Sequence, residues 1–311
     1  MRARLVAEAL VPTGTRTQRA FPSGWLVSSA NDLRVLGPRL EAEILVRLPA
    51  PSVGVHAVSH DREFIVIALT DRICRLSRQE EIIWEARHPR RAHGAAGACW
   101  IPVDDAVAWA TVPDEAGAES WHVLDAKDGR LIDVCPLGPT AASADLTRHP
   151  DGRRVGLTLE EGDSATRVWW GGWQSGCATA QQIGEATGRR MVDIRPSGHQ
   201  FLTLATDKAD VAVHDVADGR ATAEQHPPPS WGEDISFDAL AGYVTDDIVL
   251  AGSLAMESQL VLQADDLRFT DLLDYPDATP HGPIRTAGDG TWLTQDEGSG
   301  AEALLQLWRT H

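Results

Sequence analysis

Lysine is almost missing from this chain. Of its 28 basic residues only Lys127 and Lys208 are lysines. With the abundant Ala and Gly, that bias is the one expected of a GC-rich bacterial genome. Positive charge is itself scarce: the formal net charge is −17, which argues against direct nucleic-acid binding, because phosphate contact needs clusters of Lys or Arg. Apolar runs are short, and none approaches the roughly 18 residues of a membrane span, so no membrane partner is expected. The N-terminal MRARLVAEALVPTG carries basic residues and then a brief apolar run. Glu8 interrupts it and no small-residue cleavage site follows, so no signal peptide is expected. The four cysteines, Cys74, Cys99, Cys135 and Cys177, form no CxxC, and their spacing suits neither a zinc site nor a dense disulfide framework. Buried free thiols in a reducing cytoplasm are the expectation. No loop offers the converging oxygens of a DxDxDG calcium site, and GxSxG, P-loop and GxGxxG patterns are absent. The sequence therefore assigns no metal, no cofactor and no catalytic residue. His56 and His60 are four apart on one predicted strand, about 13 Å from each other, too far to share a metal.

What the chain does have is a duplicated stretch. Residues 144–182 and 192–225 align, with Pro150-Asp151-Gly152 against Pro196-Ser197-Gly198 and Leu157-Thr158-Leu159 against Leu202-Thr203-Leu204. The strongest match sets Gly176-Cys177-Ala178-Thr179-Ala180 against Gly219-Arg220-Ala221-Thr222-Ala223. The copies lie about 45 residues apart, a period typical of repeat architectures. Each copy splits into four runs of five or six residues separated by Pro, Asp and Gly, which reads as an antiparallel meander. Four short strands per such period make the blade of a β-propeller.

The same grammar extends over the whole chain. It predicts an all-β fold, a single seven-bladed propeller of four-stranded antiparallel blades. The blades span about 15–50, 51–88, 95–138, 140–184, 190–226, 232–276 and 280–311, the last completed by residues 1–12. Residues 89–143 also allow a split into six or eight blades. Arg4–Val11 has no partner before it and is placed as the fourth strand of the last blade, beside Ala303–Thr310, a clasp that removes two exposed sheet edges. The turns Leu124-Asp125-Ala126-Lys127-Asp128-Gly129-Arg130 and His214-Asp215-Val216-Ala217-Asp218-Gly219-Arg220 resemble the exit from the third strand of WD40-type repeats. The repeat length, the four-strand grammar and the clasp are similar to the same family. The Trp-Asp dipeptide and the Gly-His start are absent, and Ile82–His88 is more similar to quinoprotein-type repeats. The resemblance is thus to divergent WD40-like or YVTN-like propellers. It implies a scaffold, and no site residue carries over.

Eleven tryptophans are the most unusual feature of the composition. Trp169 and Trp170 are neighbours on one strand and must face opposite sides. Because the aligned residues are Ala212 and Val213, packing between blades is expected, against the alternative of an aromatic platform with Trp173 for a sugar or peptide. The loops between second and third strands share one face with the blade-to-blade connections. They carry Asp114, Glu115, Glu119, Glu160, Glu161, Asp163, Asp207, Asp210, Glu257, Asp296, Glu297 and Glu302, and a connection carries Trp231. An acidic rim of this kind steers a basic partner. The expected partner-binding residues are Glu115, Glu160, Glu161, Asp207, Trp231 and Glu297. First strands line the central channel, which the alignment places at Arg19, Ala57, Cys99, Thr147, Asp193 and Arg285, a mixed ring suited to a small anion or to internal salt bridges. The expected function is a scaffold binding a protein or peptide, a basic one in particular, on its loop face. The alternatives are a propeller hydrolase or lyase with substrate at the channel mouth, and a carbohydrate-binding propeller.

Overall fold

The computed structural model describes residues 1–20, 23–52, 54–91, 97–139, 141, 143–160, 166–174, 176–186, 188–207, 210–227, 237–253, 258–276, 284–296 and 300–310. These form seven four-stranded antiparallel sheets, arranged as a propeller. Blade 1 holds β2 (Arg16–Arg19), β3 (Trp25–Ser28), β4 (Asp32–Leu36) and β5 (Ala42–Arg47). Blade 2 holds β6 (Ala57–Val58), β7 (Phe64–Ala68), β8 (Arg72–Ser77) and β9 (Ile82–Arg87). Blade 3 holds β10 (Cys99–Trp100), β11 (Val107–Pro113), β12 (Ala118–Asp125) and β13 (Leu131–Pro139). The duplicated stretch gives blade 4, with β14 (Ser143–Arg148), β15 (Arg154–Glu160), β16 (Thr166–Gln174) and β17 (Cys177–Gln182). It also gives blade 5, with β18 (Arg189–Ile194), β19 (Gln200–Ala205), β20 (Val211–Asp215) and β21 (Ala221–Gln225). Blade 6 holds β22 (Phe237–Tyr243), β23 (Ile248–Ser253), β24 (Ser258–Gln263) and β25 (Phe269–Leu272).

Blade 7 is built from both ends of the chain. Its strands β26 (Ile284–Thr286), β27 (Thr291–Asp296) and β28 (Glu302–Thr310) are completed by β1 (Ala3–Pro12), which pairs antiparallel with β28 from Ala3↔Thr310 to Pro12↔Glu302. The expected clasp is therefore present. It occupies the outer edge of β28, which would otherwise present a row of unpaired backbone groups.

Burial follows position in the blade. Second strands such as β7, Phe-Ile-Val-Ile-Ala, are buried on both faces, because a blade is covered on each side by a neighbour. Outer strands such as β5 alternate exposed and buried. Seven buried clusters result, one in each gap between adjacent blades. The gap between blades 3 and 4 is rich in tryptophan. Trp109 meets Trp121 edge-on at 5.0 Å between ring centroids, and Trp100 lies 5.7 Å from Trp109. Gly171, inside the Trp-Trp-Gly-Gly-Trp run, faces the Trp121 indole, and a Cβ there would overlap the ring. The run is thus a lock for a tryptophan of the blade before it. Trp169 and Trp173 pack on this same cluster, while Trp170 turns to the gap between blades 4 and 5 and meets Phe201 edge-on at 5.6 Å.

Candidate functional site

Each blade begins at the axis and ends at the rim, so the connection to the next blade and the turn between second and third strands emerge on one face. That connection face and the central channel hold the candidate residues. On the face, Glu115 lies in the turn between β11 and β12 and is exposed, as is Asp114. Asp207 is exposed in the turn after β19. Glu161, Asp163, Trp231, Glu257 and Glu297 lie outside the described residues.

Three other acids of this face turn inward. Glu119 is fully buried: Arg91 donates from Nη1 to Oε2 at 3.0 Å and from Nη2 to Oε1 at 2.5 Å, and also reaches the Thr111 carbonyl at 2.7 Å. Burial pushes the Glu119 carboxyl up, against the pull of Arg91. The expectation that Glu119 belongs to an exposed rim fails because Glu119 occupies a buried position of β12, whose burial alternates. Asp210 is buried and pairs with Arg189. Glu160, at the end of β15, is half-buried; it takes the Arg190 guanidinium at 3.0 Å and the Ser143 hydroxyl at 2.6 Å. Its charge is engaged at the channel mouth.

The channel wall is made by the first strands of blades 1, 4, 5 and 7 with Ala241 of blade 6. Arg19, Thr147, Asp193 and Arg285 all line it, whereas Ala57 and Cys99 are buried in the cluster between blades 2 and 3. So do Arg16, Arg148, Arg190 and Asp145, which the alignment to Asp193 does not pick out because it samples one position per strand. The cavity they enclose is about 110 Å³, and a second space of about 340 Å³ adjoins it on the side of Thr15 and Gln295.

These side chains divide into two groups. One is committed to holding blades together. Asp193 accepts from the Tyr243 backbone N–H at 2.7 Å and from the Thr286 hydroxyl at 2.7 Å, so one carboxylate ties blades 5, 6 and 7. Burial raises its pKa, and the three hydrogen bonds it takes, including Ile194 N–H, offset that only in part. Gly242 makes room for this contact, since a Cβ there would lie 2.8 Å from the Asp193 carboxylate. The Thr147 hydroxyl donates to the Met191 carbonyl at 3.2 Å and joins blades 4 and 5. Asp145 takes Arg16 at 2.6 Å and Arg190 at 3.9 Å. Burial would raise its pKa, but Arg16, Arg285 and Arg190 outweigh that and hold it below the usual carboxylate range.

The other group has no such partner. Arg19, Arg148 and Arg285 make no hydrogen bond or ion pair among the described residues. Burial, and then the like charge of Arg19, push the Arg148 guanidinium down to about 10. Burial likewise lowers Arg285, with Asp145 opposing and Arg16 and Arg190 adding to the shift. In total five guanidiniums meet two carboxylates on the cavity wall. Near Arg16, His56 is fully buried and neither ring nitrogen has a hydrogen-bond partner among the described residues. Burial and Arg16 push it down to about 3, so it is neutral. Away from the channel, Asp210, Glu224 and His226 bring ligand atoms within 4.8 Å of one another, but Asp210 is already neutralised by Arg189 and the other two are exposed.

No protein-family model matches the chain, and no curated protein sequence does. Solved structures match over nearly all of it. The BamB of Moraxella catarrhalis has a TM-score of 0.60 at 11% identity, covering 99% of this chain and 100% of its own. The Cps50 (Swd1) β-propeller domain of Myceliophteria thermophila has a TM-score of 0.64 at 9% identity, covering 98% and 100%. A chain of a mitotic checkpoint complex has a TM-score of 0.62 at 11% identity, covering 99% and 93%. The protein is thus similar to WD40-like and BamB-like propellers in fold, and identities this low show the fold alone.

Proposed function

We propose that this protein is a non-catalytic binding propeller of the cytoplasm that takes a protein or peptide, a basic one in particular, on its connection face. The observation that carries the proposal is how the acids of that face sort. Glu119, Asp210 and Glu160 are held by Arg91, Arg189 and Arg190, whereas Asp114, Glu115 and Glu302 point to solvent, and Asp207 and Asp296 are exposed on the same face. The inward pairs fix the turns; the outward acids leave a negative surface on a rigid ring, the arrangement that steers and orients an oppositely charged partner. Four free thiols, two of them buried, suit a reducing compartment. The presence of a complex among the structural neighbours is in keeping with a scaffold. The tryptophans of blade 4 are taken up by packing, so a carbohydrate platform finds no support in them.

The test is capture from lysate on immobilised protein, followed by the Asp114→Arg, Glu115→Arg, Asp207→Arg triple variant. Specific retention that weakens with salt and is lost in the variant supports the proposal. Retention of nothing, or the same retained set with the variant, sinks it.

A further inference from the structure

The channel wall concentrates positive charge in a strongly acidic protein. Five guanidiniums line a cavity of about 110 Å³ with two carboxylates, and Glu160 at its mouth takes one of them, which leaves an excess of two positive charges. The internal ion pairs do not use this excess. Asp145 is shared by Arg16 and Arg190 and also faces Arg285, Glu160 takes Arg190, and Asp193 is spent on Tyr243 and Thr286. Arg148 is half-buried with no hydrogen bond or ion pair among the described residues, Arg285 is half-buried with only the unbonded charges of Asp145 and Asp193 near it, and Arg19 repels Arg148. Half-buried arginines without carboxylates are costly unless something else supplies the negative charge. Guanidiniums in a fork geometry match the oxygens of phosphate or carboxylate. The volume admits an anion of several heavy atoms, since one water needs about 10–15 Å³ of such space.

We propose that the channel of this propeller is a binding site for a small multivalent oxyanion, of which inorganic phosphate is the simplest member, held by Arg148, Arg19 and Arg285. Binding relieves the repulsion between Arg19 and Arg148 and gives each an acceptor. It does not overlap the exposed acids of the connection face, because Arg19 and Arg148 end their strands toward the opposite face and Arg285 lines the channel.

The experiment is titration calorimetry of the full chain at low ionic strength with inorganic phosphate, pyrophosphate and citrate in turn. At least one binds with one-to-one stoichiometry, and its affinity falls steeply with added salt. Arg148→Gln and Arg285→Gln each weaken it by about tenfold or more, the loss expected for a charged hydrogen bond, while Arg2→Gln on the outer rim leaves it unchanged. Tight binding of the phosphates over citrate assigns the site to phosphoryl groups; the reverse assigns it to carboxylates. A second measurement separates binding from folding. In anion-free buffer Arg148→Met melts at a higher temperature than the parent, because the variant removes an unpaired charge. No heat from any of the three anions at millimolar concentration, equal affinity in Arg148→Gln, or a lower melting temperature for Arg148→Met overturns the proposal. Loss of the lysate partner alone does not touch it.

Discussion

Arg91 and Arg148 both lie in the body of the propeller, and they differ in what surrounds them. Arg91 is fully buried in the connection from blade 2 to blade 3, with a bidentate carboxylate and a threonine carbonyl and hydroxyl for company. Arg148 stands in the channel beside another arginine with no acceptor among the described residues. A cation of the first kind holds a loop in place. The second kind is an open valence. The contrast repeats across the molecule: the ring supplies carboxylates where blades or turns must be joined, and withholds them along part of the axis.

The comparison breaks most visibly at Glu119. Glu119→Ala strands a buried guanidinium, and denaturant unfolding should show a loss of about 3–5 kcal/mol. The double variant Arg91→Met, Glu119→Leu removes both charges and should recover most or all of that loss. If Glu119→Ala unfolds no more easily than the parent, the pair is not a structural element and the contrast with Arg148 disappears. Next in size is His56, a buried group kept neutral beside Arg16. Its folded pKa, about 3, lies below the unfolded value near 6.5. The unfolded chain therefore takes up a proton that the folded chain refuses. Stability is full above pH 6.5 and falls as pH drops toward 3, on the order of a few kcal/mol in all. His56→Leu should flatten that limb in urea titrations across the range; an unchanged limb shows that other groups govern it.

The sequence makes the ring legible and the channel only in part. The repeat in blades 4 and 5 is visible because turn residues such as Pro150-Asp151-Gly152 and Pro196-Ser197-Gly198 recur at the same places, and strand alternation does the rest. The placement of Trp169 and Trp170 on opposite faces follows from the same alternation. Which neighbour occupies Gly171 does not, since Trp121 arrives from another blade. The channel shows the limit more clearly. Taking one position per first strand finds Arg19, Thr147, Asp193 and Arg285, but the second ring of Arg16, Asp145 and Arg190 lies elsewhere on those strands. Glu119 and Glu115 sit four residues apart near one turn and read alike as acids. Only the register of β12 against β11 and β13, which buries one and exposes the other, separates them.

Within the channel the comparison can be sharpened by one substitution. Asp145 is the carboxylate that makes Arg16 and Arg190 resemble Arg91. Its pKa is held down in the fold, so its contribution is present above the unfolded value near 3.9 and is lost as pH falls through the lower folded value. Asp145→Asn should cost about 1–3 kcal/mol at neutral pH, less than Glu119→Ala because these groups are half-buried. It should also raise the affinity for phosphate, since the wall gains a positive charge. A destabilised variant that binds the anion no better than the parent would show that Asp145 organises the arginines as well as neutralising them.

The smallest effect is expected on the connection face, where the comparison predicts almost none. Glu115 is exposed in a turn, and the Asp114 carboxylate, although it takes the Ala118 N–H at 2.7 Å, is solvent-facing. Glu115→Arg should alter stability by no more than about 0.5 kcal/mol, because no buried partner is stranded. What it should change is the association rate with a basic partner and the salt dependence of that rate. Asp114→Arg removes a turn hydrogen bond as well and should cost about 1 kcal/mol. Measuring the two side by side separates steering from turn geometry. If Glu115→Arg slows association and Asp114→Arg does so by a similar factor despite its extra instability, the surface acts through its charge. If only the less stable variant loses the partner, the shape of the turn is what the partner reads.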